Sequence, residues 1–460
     1  MVLTLNDTTR NMIDRIKNIV NLPLVKNTLK LSSSTAFMMF LPLVVTPILS
    51  RIYTPEDYGI WGVFSSLYYI VSAFILLSYE NTIVKTNDDN EIPDLVGLCL
   101  VVLVFILLGL AGVFAVGKFF NIKFFVDFPC FYYLVLVLAF SGLYSICTNL
   151  ANRQKQYNSM VLTGITNGLT QAGFRIVLGI FPIVAFGLIV GNVMAQIVST
   201  LLLIWLLRKT LPKDLLSKIS VKGIKTVAIK YKKFPLFDAP ARFIEFAVGN
   251  LAIIILAAFW DKDTVGCFSM VMQFVLIPIS IIGSAMANVY YKEISENSEI
   301  EGNYTNVTIK AAKITFSLAF LPIAFLAFGG DYLLVLFLGE KWTVAGPMAL
   351  CMSIFSVPVI LSEPLLPIFR SRDRQEIRFR VNFANFISSL GILLIVAYFT
   401  RNIYISLLAY SIAYAISRFV MYFQELRISG VSLKQVSKWF PLALIVCYGA
   451  IIIRIIPFVI

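Results

Sequence analysis

Histidine is absent from all 460 residues. Without an imidazole there is no histidine-type zinc site, no Ser-His nucleophile and no histidine proton relay. Charge is scarce as well: Asp, Glu, Lys and Arg make up 14% of the chain against 59% hydrophobic residues. Soluble domains of this length cannot hide that much apolar surface, so the chain reads as an integral membrane protein. Its apolar stretches run to about 20 residues, the length of a spanning helix. They do not alternate with polar residues over short runs, which argues against a porin-type barrel. The six cysteines (Cys99, Cys130, Cys147, Cys267, Cys351 and Cys447) lie scattered in apolar stretches without a Cys-x-x-Cys pair. They read as packing residues, neither a disulfide framework nor a metal site. Gly112 to Lys118 has the spacing of a phosphate loop, but Phe119 stands where a magnesium-binding Ser or Thr is needed. No cofactor is expected.

What is present is a series of spans. Twelve are expected, at 31–50, 58–79, 95–117, 129–151, 160–182, 184–207, 236–259, 264–290, 310–328, 342–362, 381–399 and 403–424. A thirteenth apolar run, 439–460, either spans or lies at the interface. Residues 1–30 carry Arg10, Arg15, Lys17, Lys26 and Lys30, with Met12, Ile13, Ile16, Ile19 and Val20 on one helical face. They predict a surface-lying amphipathic helix and no cleavable signal peptide. The connections alternate in charge. The set that includes the N-terminus holds 28 of the 38 Lys and Arg, the opposite set seven, and the spans the last three, Arg175, Arg242 and Arg418. The positive-inside rule then predicts a cytoplasmic N-terminus. The net charge of +13 follows from this asymmetry and from anionic headgroups, with no role for nucleic acid.

The longest connection, 208–233, has nine basic residues and one acid and separates six spans from six. An internal echo supports two related halves. YTPEDYGIWGVF (Tyr53–Phe64) resembles WDKDTVGCFSMV (Trp260–Val271). Each follows the first span of its half, with an N-capping Thr54 or Asp261, acids in the first turn and a glycine, Gly59 or Gly266, five residues on. Thr54 to Asp57 also fits a capping box with Pro55 at the first helical position. NRQKQYN (152–158) and SRDRQEIR (371–378) form a weaker echo after the fourth span of each half. The expected organisation is an N-terminal segment (1–30), a first lobe (31–207), a basic cytoplasmic linker (208–233), a second lobe (234–425) and a C-terminal segment (426–460).

The informative charges lie inside spans, where ionisable groups normally face water or a partner. Asp238, Arg242 and Glu245 share one helical face. Two roles are open to them: Arg242 binds an anion while the carboxylates orient it or couple an ion, or the three form a self-neutralising stripe. Pro240 predicts a bent or loosened helix end. In the fifth span Thr163, Asn167, Gln171 and Arg175 recur every four residues, as a cavity face or as helix-helix glue. Gln273, Ser280, Ser284 and Asn288 mark one side of the eighth span, with the same two readings. Arg51, Glu80, Glu363 and Arg418 stand near span ends, where an interfacial role is the default.

LSRIYTPEDYGIWGVF (Leu49–Phe64), the following Tyr79-Glu80, KKFPLFDAPARFIEF (Lys232–Phe246) and the stretch Asp263–Glu293 resemble the polysaccharide flippases. These are the Wzx-type branch of the multidrug/oligosaccharidyl-lipid/polysaccharide (MOP) transporters. The likeness covers most of the chain through structural rather than catalytic motifs. It implies an all-α polytopic membrane protein with two six-helix lobes in a V. The implied cargo is an undecaprenyl-diphosphate-linked oligosaccharide, such as an O-antigen, lipopolysaccharide or capsule repeat unit. It would be moved across a bacterial inner membrane by alternating access, for use by a polysaccharide polymerase and chain-length regulator. Arginine suits a diphosphate because its guanidinium stays charged and forks onto phosphate oxygens. Arg51, Arg175 and Arg242, with Gln171 and Asn167, are therefore the expected substrate contacts, and Glu245 and Asp238 the expected ion-coupling or orienting groups. The main rival is a MATE-like antiporter of small molecules or cations, whose cavity would be dominated by carboxylates. A membrane glycosyltransferase or polymerase would need larger outer loops than 118–128 and 329–341 provide. A structural scaffold would not need charges within its spans.

Overall fold

The computed structural model describes residues 37, 40–122, 125, 128, 130–181, 186–210, 212, 215–296, 303–436 and 440–459. The amphipathic helix expected over 1–30 lies outside these residues, as does Pro182. All regular structure among the described residues is helical. The longer helices are α1 (Phe40–Ile52), α2 (Pro55–Ser72), α3 (Ile92–Phe119), α4 (Phe131–Arg153), α5 (Tyr157–Ile180), α6 (Gly187–Leu207) and α7 (Val221–Lys230). They continue with α8 (Ala239–Phe259), α9 (Lys262–Glu296), α10 (Asn303–Phe325), α11 (Asp331–Leu338), α12 (Ala345–Ser362), α13 (Gln375–Thr400), α14 (Ile403–Ile428) and α15 (Phe440–Val459).

Nine of the described helices are long and apolar enough to cross a membrane. The full-length helices α2 and α5 are not among the nine. Both line a cavity between the halves, α2 with Tyr58 and α5 with Asn167, Gln171 and Arg175. Gly112 to Lys118 lies within the continuous helix α3, so it forms no phosphate loop.

The two halves meet tightly at one end of the molecule, here the Arg51 end. The Thr54 capping box forms as its sequence predicts, with Thr54 Oγ1 accepting from Asp57 N and Asp57 accepting from Thr54 N. Asp261 accepts from Thr264 N at 2.7 Å in the matching position of α9. The two echo glycines mark the crossing of α2 and α9. A Cβ on Gly59 would lie 2.0 Å from the Lys262 carbonyl oxygen, and one on Gly266 1.8 Å from the Pro55 carbonyl oxygen. Lys262 stands four residues before Gly266, and Pro55 four before Gly59, so the contact is reciprocal. Close backbone approach of this kind is open only to the smallest residue. Further ties surround it. Ser50 Oγ donates to Leu338 O at 2.9 Å, Trp342 Nε1 to Ser50 O at 3.1 Å, and Lys262 pairs with Glu56 at 3.0 Å. Trp342 is fully buried and packs edge-on against Tyr58.

Three departures from the sequence reading have physical causes. The second span, expected to reach residue 79, ends at Ser72 and gives way to turns in which Leu77 and Ser78 take φ of 50° and 60°. Such left-handed backbone costs a non-glycine residue about 1 kcal/mol or more and leaves no composition signal. The basic linker is not a free loop. It contains α7, capped by Ser220, whose backbone N–H donates to Asp94 at 2.8 Å. Lys230 and Tyr231 both bind Glu91, and that carboxylate holds the Lys230 ammonium above the usual lysine range. The stretch 329–341 contains α11 rather than being loop throughout.

The last apolar run forms α15, which packs along the second half through Cys447, Ile451 and Ile455. Tyr448 donates to Ile354 O at 2.8 Å, and Arg454 forks onto Asp331 at 2.7 and 2.8 Å. Twenty residues at 1.5 Å each reach about 30 Å, the thickness of a bilayer core.

Candidate functional site

Between the halves lies a partly open cavity of about 80 Å³, bounded by α1, α2, α5 and α9. Its polar lining is Thr46, Tyr58, Asn167, Gln171, Arg175 and Gln273, and the rest is apolar or backbone. Among the described residues, Arg175 is the one charged residue of the lining, and no carboxylate reaches it. The four-residue recurrence along α5 therefore does build a cavity face from Asn167, Gln171 and Arg175. Thr163 is turned away, bonded to Ser159 O, Met160 O and the Tyr144 hydroxyl.

Arg175 is fixed in place rather than snorkelling outward. Its Cζ lies 4.3 Å from the centre of the Trp61 ring, a cation–π contact from α2 to α5. Its Nε donates to Leu188 O at 3.1 Å, and Tyr53 donates to the Arg175 carbonyl at 2.7 Å. Nη2 is buried and donates to no group among the described residues. A guanidinium whose orientation is set by two contacts, with donors still unspent, is prepared for an anion. Gln171 and Asn167 are partly committed, to Asn192 at 2.9 Å and to Ala195 O at 3.3 Å. From the second half only Gln273 of the expected polar face reaches this cavity. Ser280, Ser284 and Asn288 are exposed further along α9.

The stripe Asp238, Arg242 and Glu245 does not neutralise itself. Arg242 Nη1 donates across the halves to Glu80 Oε1 at 2.6 Å, and Glu80 is 3% exposed. Rings flank the pair, Phe74 against Phe243 at 5.2 Å and Tyr69 against Phe246 at 6.2 Å. The left-handed turn at Leu77 and Ser78 is what aims Glu80 at α8. Glu245 instead meets Arg378 of α13 at 3.7 Å, and Asp238 is exposed with no ion pair among the described residues. The loosened start expected from Pro240 takes the form of a π-helical turn, Phe234–Asp238. Arg51 is not in the cavity: it is exposed, and its Nη2 donates to Leu336 O at 3.1 Å near the C-terminal end of α11. There it satisfies a helix-terminal carbonyl.

A second charged cluster escaped the sequence reading. Arg418 Nη1 meets Glu363 Oε1 at 3.2 Å and its Nη2 binds Tyr414 at 3.0 Å. Glu425, two turns along α14, is fully buried, and neither of its side-chain oxygens has a protein partner. The four- and seven-residue spacings of Tyr414, Arg418 and Glu425 were the available signal.

This arrangement, a multi-pass helical chain whose halves close at one end over a cavity lined by an arginine, is the fold of solved MOP superfamily proteins. It is similar in structure to the lipid II flippase MurJ in an inward closed conformation, with TM-score 0.66 and 13% identity over 92% of this chain and 97% of that one. An inward-facing multidrug resistance MATE family transporter of the MOP superfamily matches at TM-score 0.63 and 15% identity, over 87% and 96%. A MOP superfamily transporter from Pyrococcus furiosus Vc1, described as having a binding pocket of reverse polarity, matches at 0.57 and 15%, over 88% and 96%. At these identities the likeness is one of fold. The chain belongs to the polysaccharide biosynthesis protein family, whose sequence model matches residues 48–347. The teichuronic acid biosynthesis protein TuaB of Bacillus subtilis (strain 168) is 24% identical over 150 residues, 32% of this chain. The match spans 30% of that relative's length.

Proposed function

We propose that the chain is a flippase that carries an undecaprenyl-diphosphate-linked oligosaccharide across a bacterial inner membrane by alternating access. In this reading the N-terminus and the Glu80 end face the cytoplasm. The halves are then closed on the outer side by the Gly59–Gly266 crossing, and the cavity loads from within. The observation that carries the reading is the cavity lining: one arginine with unspent donors and no carboxylate. A diphosphate is matched by that charge, whereas a small cation would be repelled by it. The MATE-like alternative is disfavoured on the same ground. The released oligosaccharide would feed a polymerase and chain-length regulator on the outer face.

Arg242 becomes a bridge between halves rather than a first contact for phosphate, because Glu80 already holds it. The test is translocation in sealed proteoliposomes. The purified protein should move the lipid-linked oligosaccharide from the loaded leaflet to the other, read by an impermeant sugar-oxidising reagent. Uptake of a monovalent cationic dye without movement of the oligosaccharide would overturn the proposal in favour of the antiporter.

A further inference from the structure

The first half contains a second, open-sided pocket of about 380 Å³ between α2, α4, α5 and α6. Every residue that lines it carries a hydroxyl or a carboxamide, and none is charged or aliphatic. The lining residues are half-buried, and on membrane helices such polar side chains ordinarily serve as glue by bonding across helices. Some do so here: Tyr68 donates to Ser141 at 3.2 Å, and Tyr144 meets Thr163 at 3.2 Å. Others are left with capacity. The Thr148 hydroxyl is buried without a partner. Asn149 bonds only the Ser145 carbonyl of its own helix. The Gln196 carboxamide lines the cavity and makes no hydrogen bond to a described residue.

The pocket adjoins the arginine-bearing cavity. Asn167 borders both. Arg175 lies eight residues further along the same helix, about 12 Å at 1.5 Å per residue. One helix therefore presents a cation at one point and a neutral hydrogen-bonding pocket a short distance on. The volume falls within the range of about 300–1,000 Å³ usual for small-molecule sites.

From this we infer that the first half holds a glycan-recognition pocket, occupied by the sugar nearest the diphosphate while Arg175 holds the diphosphate itself. A pyranose ring fits the lining chemically. Its hydroxyls both donate and accept, as the carboxamides and hydroxyls require, and its C–H faces pack on tyrosine rings. An acyl chain would strand the polar groups, and an ion would find no counter-charge. The inference rests on the proposed lipid-linked oligosaccharide cargo and adds where selectivity for its sugar resides.

The experiment compares binding of two probes to the full chain in nanodiscs: undecaprenyl diphosphate, and the undecaprenyl-diphosphate-linked oligosaccharide extracted from the host. The wild-type protein should prefer the sugar-bearing probe. Gln196→Met and Asn149→Leu should lose about tenfold of that preference each while binding bare undecaprenyl diphosphate as before. Ser145→Trp, which fills the cavity instead of unpairing it, should abolish the preference. A wild type with no preference, or variants that keep it, overturns the pocket. Arg175→Ala separates the two ideas: unchanged affinity for bare undecaprenyl diphosphate in that variant sinks the diphosphate reading, independently of what the pocket variants do.

Discussion

Gly59 and Gly266 each occupy the space in which the other helix places a carbonyl oxygen, at 2.0 and 1.8 Å from where a Cβ would stand. The two residues are also equivalent in the sequence echo, so an internal repeat has become an approximately two-fold contact between its own copies. Isologous contacts have this form between subunits, and here a single chain builds one within itself.

The first prediction follows from the backbone nature of the obstructing atoms. Gly59→Ala and Gly266→Ala each force α2 and α9 apart, at about 1–3 kcal/mol. One displacement relieves both clashes, so the double variant should cost less than the sum of the singles. Thermal unfolding in detergent reads the cost, and a spin-label distance across the Arg51 end reads the separation. Full additivity, with no change in distance, would count against the shared crossing.

The second concerns Arg242 and Glu80. Removing Arg242 strands a carboxylate that is 3% exposed, and Arg242→Ala should destabilise by about 3 kcal/mol, the lower end expected for breaking a buried pair. Adding Glu80→Gln should restore most of the stability and part of the translocation. If Arg242 instead contacts phosphate, no change at Glu80 recovers transport. The double variant therefore decides between a bridge and a binding residue.

The third separates the two glutamates near Arg418. Glu363→Gln takes away the 3.2 Å counter-ion of Arg418 and should cost about 3 kcal/mol. Glu425→Gln, nearly isosteric, removes an ionisable group that has no hydrogen-bond partner and should be neutral or stabilising. Equal losses in the two melting curves would contradict this division.

These residues also mark how far the sequence is legible. The capping box at Thr54, the glycines at positions 59 and 266, and the polar face of α5 are local patterns whose physics acts within one or two turns. The capping box appears as its spacing predicts, the two glycines meet in one helix crossing, and three of the four polar positions of α5 reach the cavity. Partners distant in the chain carry no such trace. Nothing near Arg242 indicates that Glu80, 162 residues away, takes its charge, so the sequence leaves both an anion site and a self-neutralising stripe open there. The same limit hid Trp61 under Arg175 and the pairing of Glu245 with Arg378. Arg51 lies outside the cavity, because its end of α1 meets α11. The helix α7 was masked by the basic composition of the linker, whose order comes from Asp94 and Glu91 in another part of the chain.

The central claim is that Arg175 receives the diphosphate of a lipid-linked cargo. Its most direct test is the affinity of the nanodisc-embedded chain for undecaprenyl diphosphate, measured for wild type, Arg175→Lys and Arg175→Ala alongside their melting temperatures. A charge-assisted contact of about 1.5–3 kcal/mol predicts a loss of roughly 10- to 150-fold in Arg175→Ala, with Arg175→Lys in between. An Arg175→Ala protein that remains folded and binds undecaprenyl diphosphate as tightly as wild type would contradict the account.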